Sequence, residues 1–276
     1  MRRRVSPLVS KRLKKSPKAR KNNIRISIYA AIVVVSIVFC AGTIFLIRSN
    51  LVRLHSVVVS GNEIVKREAI EEIISESRRD SLFWIIPKDN VVLFSRSKLK
   101  TKIQERLSTI AHTEVSFTDF YTLEVKVREH KPTYLWCASL LREKCYFMNE
   151  SGFIFNEAAG FSEGVLFTYY GLVDTAAPIG KTYLPVEKFI ELNKFTESLR
   201  LLKIVPVGLN VLEQDDYEIH LSSGSTILFS GREDFLQTFA NLETIITEQL
   251  RSNKNFLAEV DYIDVRFVSK AFLKLK

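Results

Sequence analysis

Between Thr122 and Arg128 the chain alternates, with Leu123, Val125 and Val127 set against Glu124 and Lys126. This period of two predicts a strand with one buried and one wet face. A second strand is expected just upstream at Glu114 to Thr118, where Val115 and Phe117 point one way, with Asp119 to Tyr121 turning the chain between the two. Val57, Val58 and Val59 give an earlier strand signal over Leu54 to Ser60, which stops at Gly61-Asn62. The period then changes. Val65, Ala69, Ile70, Ile73 and Ile74 share one helical face, with Asn62 placed to cap it. Leu99, Ile103 and Leu107 recur every four residues in a second helix, Ser97 to Leu107, for which Ser97 is the expected N-cap. Leu82 to Phe94, which contains Pro87, reads as an ordered connector. The predicted order is strand, helix, helix, strand, strand.

From Thr133 onward the pattern is strand-rich with two helices. Short strands are expected at Tyr134 to Cys137 and Cys145 to Met148, with Asn149 to Gly152 as a turn before Phe153 to Phe155. A helix follows from about Val186 to Leu202, its stripe being Phe189, Leu192, Phe195, Leu199 and Leu202, with Pro206 just beyond its end. Strands are expected at Val207 to Leu212, Tyr217 to Leu221 and Thr226 to Phe229, then a helix from Asp234 to about Leu250. Tyr262 to Phe267 and Ala271 to Leu275 close the chain as strands. No internal repeat stands out.

One stretch has neither period. Ile26 to Ile47 is 22 residues without a charged side chain, which as a helix would be roughly 33 Å long, the thickness of a bilayer's hydrocarbon core. This predicts a single transmembrane helix over 26–47. Eleven Lys and Arg residues and no acid precede it, while Arg48 and Arg53 are the close basic residues after it. The positive-inside rule then keeps residues 1–25 cytoplasmic and places the C-terminal domains outside the cytoplasm. A cleaved signal peptide is the competing reading, disfavoured because its apolar region is usually about 7–15 residues.

The net charge of +9 belongs to the tail. Residues 26–276 hold 29 basic against 31 acidic side chains, so no nucleic-acid partner is expected of the folded part. The tail is expected to be disordered and to lie near anionic lipid headgroups.

Four segments and one tryptophan carry a family resemblance. Val57-Val58-Val59-Ser60-Gly61-Asn62 opens the first domain and Thr122-Leu123-Glu124-Val125-Lys126-Val127-Arg128-Glu129-His130-Lys131-Pro132 closes it. Trp136, Tyr146 to Phe155 and Tyr262-Ile263-Asp264-Val265-Arg266-Phe267 extend the match into the second. Together they resemble the FtsQ/DivIB family of bacterial cell-division proteins. The resemblance implies an α+β chain with a single N-terminal transmembrane helix, a POTRA domain over 51–129 and a mixed β-domain with two helices over 130–276. It implies a single-pass protein of the cell membrane at the division septum, which scaffolds the divisome by binding FtsB/DivIC-type and FtsL-type proteins and helps regulate septal peptidoglycan synthesis. Through the Ile-Asp-x-Arg-Phe match, partner binding is carried over to Arg266 and Phe267, and more loosely to Ser269, Ala271 and Phe272. The same aromatic residues could instead be core. Gln237, Thr238 and Asn241 occupy a neighbourhood where the family often has a basic contact, so that contact is not carried over.

Catalytic patterns are weak. His55, His112, His130 and His220 lack metal-ligand spacing. Gly180-Lys181-Thr182 lacks the earlier glycine of a phosphate loop, because Thr175 stands there. Ser95-x-x-Lys98 and Ser97-x-x-Lys100 sit at a predicted helix start, and Lys181-Thr182-Tyr183 does not supply the Lys-Thr-Gly partner motif. No enzyme activity, cofactor or small-molecule substrate is therefore expected. The alternative function is a membrane-anchored envelope enzyme or ligand sensor, which would need a polar cleft of clustered ionisable groups.

Cys40 lies in the apolar stretch, whereas Cys137 and Cys145 lie on segments that could pair as a hairpin. Those two are either a disulfide or a pair of reduced thiols. For a scaffold, the C-terminal strand is the place to look, since an edge strand offers unpaired backbone groups to another chain.

Overall fold

The computed structural model describes residues 17–48, 53–79, 81–82, 86–87, 91, 94–119, 121–141, 144–159, 165–173, 176–267 and 270–276. The first element, α1, runs Pro17–Arg48. Pro17 stands at its first position, where a missing N–H costs nothing, and the helix carries Lys18, Arg20, Lys21 and Arg25 before its apolar part. Residues 17–25 are thus helical rather than a disordered tail. Among the described residues no helix is long and apolar enough to cross a membrane, which corrects the expected transmembrane helix over 26–47. The apolar residues are one portion of a longer helix that begins among basic ones, and Ile28, Val33, Phe39 and Phe45 are exposed on it.

The chain divides into two compact units, Met1–Val58 with Glu72–Arg96 and Ser116–Glu124, and Val59–Glu71 with Ser97–Val115 and Val125–Lys276. The first buries Leu54, Ile73, Ile74, Phe94 and Leu123; the second buries Ile70, Leu99, Ile103, Ile110, Val125 and Val127 besides the large core below.

The predicted strand, helix, helix, strand, strand order is present as β1 (Ser56–Ser60), α2 (Arg67–Arg79), α3 (Arg96–Arg106), β4 (Ile110–Phe117) and β5 (Thr122–Glu129). A two-residue pair, β2 (Ser81–Leu82) and β3 (Ile86–Pro87), lies in the connector. The sheet order is β1-β5-β4. The alternation in β5 is kept, with Leu123, Val125 and Val127 buried between more exposed neighbours. Both predicted caps fail. Asn62 donates to the Val65 carbonyl instead, and the N–H groups of Glu63, Ile64 and Val65 are collected by the Glu129 carboxylate at 2.8–3.1 Å. Ser97 is inside α3, which begins at Arg96. Gly61 is forced: its φ is +83° and an added Cβ would lie 2.1 Å from the Val127 carbonyl oxygen.

Residues 134–276 build one nine-stranded sheet. Its strands are β6 (Tyr134–Cys137), β7 (Cys145–Met148), β8 (Ile154–Glu157), β9 (Thr168–Tyr170), β10 (Pro206–Val211), β11 (Asp216–Leu221), β12 (Thr226–Ser230), β13 (Val260–Phe267) and β14 (Lys270–Leu275). Their order is β14-β13-β12-β11-β10-β9-β6-β7-β8. The two expected helices are α4 (Val186–Ser198), prolonged by a 3-10 turn at Leu199–Leu202, and α5 (Phe235–Ser252), capped by the Asp234 carboxylate. A short α6 (Phe256–Glu259) follows.

The topology explains why there are two long helices. β9 and β10 run parallel, as do β12 and β13, and parallel neighbours need a long crossover. Helix α4 makes the first and α5 the second. Phe189, Leu192 and Phe195 of α4, with Leu242 and Ile246 of α5, meet Trp136, Tyr169, Tyr217, Ile219, Phe229 and Ile263 from the strands in one apolar core. Two of its buried polar atoms are matched, Trp136 Nε1 donating to the Gly171 carbonyl at 2.8 Å and Tyr183 Oη to that of Tyr170 at 2.8 Å, whereas the Tyr217 hydroxyl is buried without a hydrogen-bond partner among the described residues.

Candidate functional site

The two ends of the large sheet differ. At one end, β8 is covered at its first residue: the Ile154 N–H donates to the Lys181 carbonyl at 2.9 Å, and the Gly180 N–H donates to the Ile154 carbonyl at 2.8 Å. At the other, β14 closes the order with all six of its residues exposed. Its inner side pairs antiparallel with β13, Ile263 lying opposite Leu273 and Asp264 opposite Phe272. The Lys276 N–H donates inward to the Glu259 carbonyl at 2.9 Å. Backbone direction alternates along a strand, so the N–H and C=O groups of Ala271, Leu273 and Leu275 face away from β13. That side is a row of groups ready for another strand.

Side chains decorate this edge. Phe267 and Phe272 are each about half exposed and meet edge to face with ring centroids 5.6 Å apart. Leu273 and Leu275 are also exposed. Beside the edge, Asn241, Thr244 and Ile245 of α5 face Val265, Phe267 and Ala271 across a shallow depression of about 280 Å³. Lys274 and Lys276 fix the strand's far end, Lys274 on Asp261 at 2.7 Å and Lys276 on the carbonyls of Ser223 and Ala258 at 3.1 and 3.0 Å.

Of the sequence-derived contact residues, Phe267, Ala271 and Phe272 come together on this edge, and Ser269 lies outside the described residues. Arg266 has a different occupation. Its guanidinium grips Asp264 through Nε and Nη2 at 2.9 and 2.7 Å, and its Nη1 reaches Asp216 of β11 at 3.3 Å. Asp216 also takes Arg232 at 3.1 Å. Burial would raise the Asp264 pKa, but the hydrogen bonds and charge of Arg266 outweigh it and hold the carboxyl below its ordinary range. Hydrogen bonding to Asp264 raises the Arg266 pKa in turn. Arg266 thus braces the strands behind the edge. The Asp264-x-Arg266 spacing signals a same-face pair, whereas Asp216 and Arg232 join only through strand order. Thr238 is buried and bonds back to the Asp234 carbonyl, and Gln237 pairs with Asn241.

Cys137 and Cys145 stand opposite each other on β6 and β7 and are disulfide-bonded, with Cα atoms 4.2 Å apart. Cys40 is a free thiol. Among the described residues there is no group of three or more His, Cys, Asp or Glu able to hold a metal. His130 takes a hydrogen bond from Asn149, and His55 donates to the Arg53 carbonyl at 2.8 Å. No family model matches the chain, and no curated protein matches it.

Proposed function

We propose that this chain is an extracytoplasmic scaffold of the bacterial division machinery, and that it captures an FtsB/DivIC-type protein, in company with an FtsL-type one, as an added strand on β14. The observation that carries the reading is the β14 edge of the large sheet, exposed at all six residues, whereas β8 at the other end is covered at Ile154. Strand addition takes affinity from the backbone and specificity from alternate side chains. Here Phe272 and Leu273 project from opposite faces and can read both sides of the incoming strand. The resemblance of residues 57–62, 122–132 and 262–267 to FtsQ/DivIB proteins names the partners. The Cys137–Cys145 disulfide supports a location outside the reducing cytoplasm. Through this capture the scaffold helps regulate septal peptidoglycan synthesis.

The test is a titration of the purified chain with the extracytoplasmic segments of the two partner types from the same organism. Ala271→Pro deletes an outward N–H and leaves the inward ladder of β14 intact, so affinity should fall at least about tenfold, or 1.4 kcal/mol, with the circular dichroism unchanged. Phe272→Lys should do the same through the side chain. Full binding by a folded Ala271→Pro chain would reject strand addition at this edge.

A further inference from the structure

A second surface lies on the helical layer and shares no lining residue with the β14 edge. Helices α4 and α5 diverge around an open groove of about 890 Å³. Its floor is aromatic: Phe195 stacks on Phe235 with centroids 5.2 Å apart, and Phe239 continues the floor along α5. Its lips are Leu201 and Leu236, 79 % and 80 % exposed. Leucines this exposed beside aromatic rings form a contiguous apolar patch rather than scattered surface positions. The rim is acidic, with Glu187 and Glu191 one helical turn apart on α4 and Glu233 and Asp234 leading into α5. Two lysines share the rim, but Lys188 is held by Asp215 at 2.8 Å, which leaves Lys194 facing four carboxylates.

These features define the occupant. An apolar floor inside an acidic rim selects apolar side chains flanked by cations. The walls are helices, whose backbone groups bond along their own axes, and the start of α5 is capped, Asp234 accepting from the Leu236 N–H through its side chain and from the Thr238 N–H through its carbonyl. An extended peptide would find no ladder there, so the occupant must satisfy its own backbone. A helix does so, and a groove between helices suits its apolar face. The acidic rim also repels anionic lipid. We propose that the α4–α5 groove docks an amphipathic helix of a partner protein, with leucine-like residues on one face and Lys or Arg beside them.

The probe is a synthetic helix with Leu on one face and Lys on the other, titrated into the purified full chain by fluorescence anisotropy; its Leu/Glu counterpart is the charge control. The Leu/Lys helix should bind saturably and the Leu/Glu helix at least about tenfold more weakly. Leu236→Asp should reduce Leu/Lys binding at least tenfold. The double variant Glu187→Lys, Glu191→Lys should invert the preference in favour of Leu/Glu. All three positions are exposed, and circular dichroism checks that the variants fold. Absence of binding, equal binding of both helices, or affinity unmoved by the variants would overturn the proposal. So would association with anionic vesicles that Leu236→Asp abolishes while helix binding persists.

Discussion

His130 shows how one side chain couples burial to pH. Asn149 uses its Oδ1 three times, for the N–H and Oγ of Ser151 and the N–H of Phe153. Its amide N–H is therefore what meets His130 Nδ1 at 3.0 Å, and the imidazole must accept. The ring also lies against Phe153 and Phe155, at 5.1 and 5.3 Å. Burial first, and the charge of Arg128 second, lower its pKa. Folding therefore favours the neutral ring. The contribution is complete above the ordinary histidine value of about 6.5 and is lost as pH falls below it toward the lower folded value. Thermal melts at pH 7.5 and 5.5 should show a larger loss for the wild type than for His130→Phe, which cannot charge. The pattern Asn149 to Gly152 announced a turn, but not that its asparagine would also fix a histidine nineteen residues away.

Among the elements, β5 is the one whose sequence and structure agree most closely, because a period of two needs only a buried and a wet face. The start of α2 is the counterexample. Asn62 has a cap residue's chemistry, yet the N–H groups before the helix are collected by Glu129, whose position depends on β5 pairing beside β1. A long-range partner of this kind leaves no local signal. Glu129→Ala should destabilise the chain by about 1–2 kcal/mol, since charge-assisted hydrogen bonds are lost from a partly exposed site; urea unfolding of the variant against wild type measures it. Strand β9 was missed for a related reason. Thr168–Tyr170 is three residues long and wholly buried, too short for a period, and without it the parallel β9–α4–β10 crossover could not be read from the chain. The edge position of β14 was likewise invisible in its pattern, since exposed aromatic residues and core ones look alike in sequence. Helix α1 was misread at its boundary: the charge run suggested a disordered tail, whereas Lys, Ala and Arg are good helix formers and extend the helix back to Pro17.

For the whole molecule, the Cys137–Cys145 bond closes the β6–β7 hairpin, which stands between the end strand β8 and the core strand β9. The chain-entropy account of so short a loop gives about 2–3 kcal/mol. Reductant should lower the melting temperature of the wild type and leave a Cys137→Ser, Cys145→Ser chain unmoved at the lower value. The open edge has a consequence for the free chain as well. A row of outward donors and acceptors suited to a partner's strand is equally suited to its own twin, two copies of β14 meeting antiparallel about a two-fold axis. Partner and twin would then compete for one seat. Once two copies are joined, each has used its β14 edge, so pairing through that edge alone stops at a dimer.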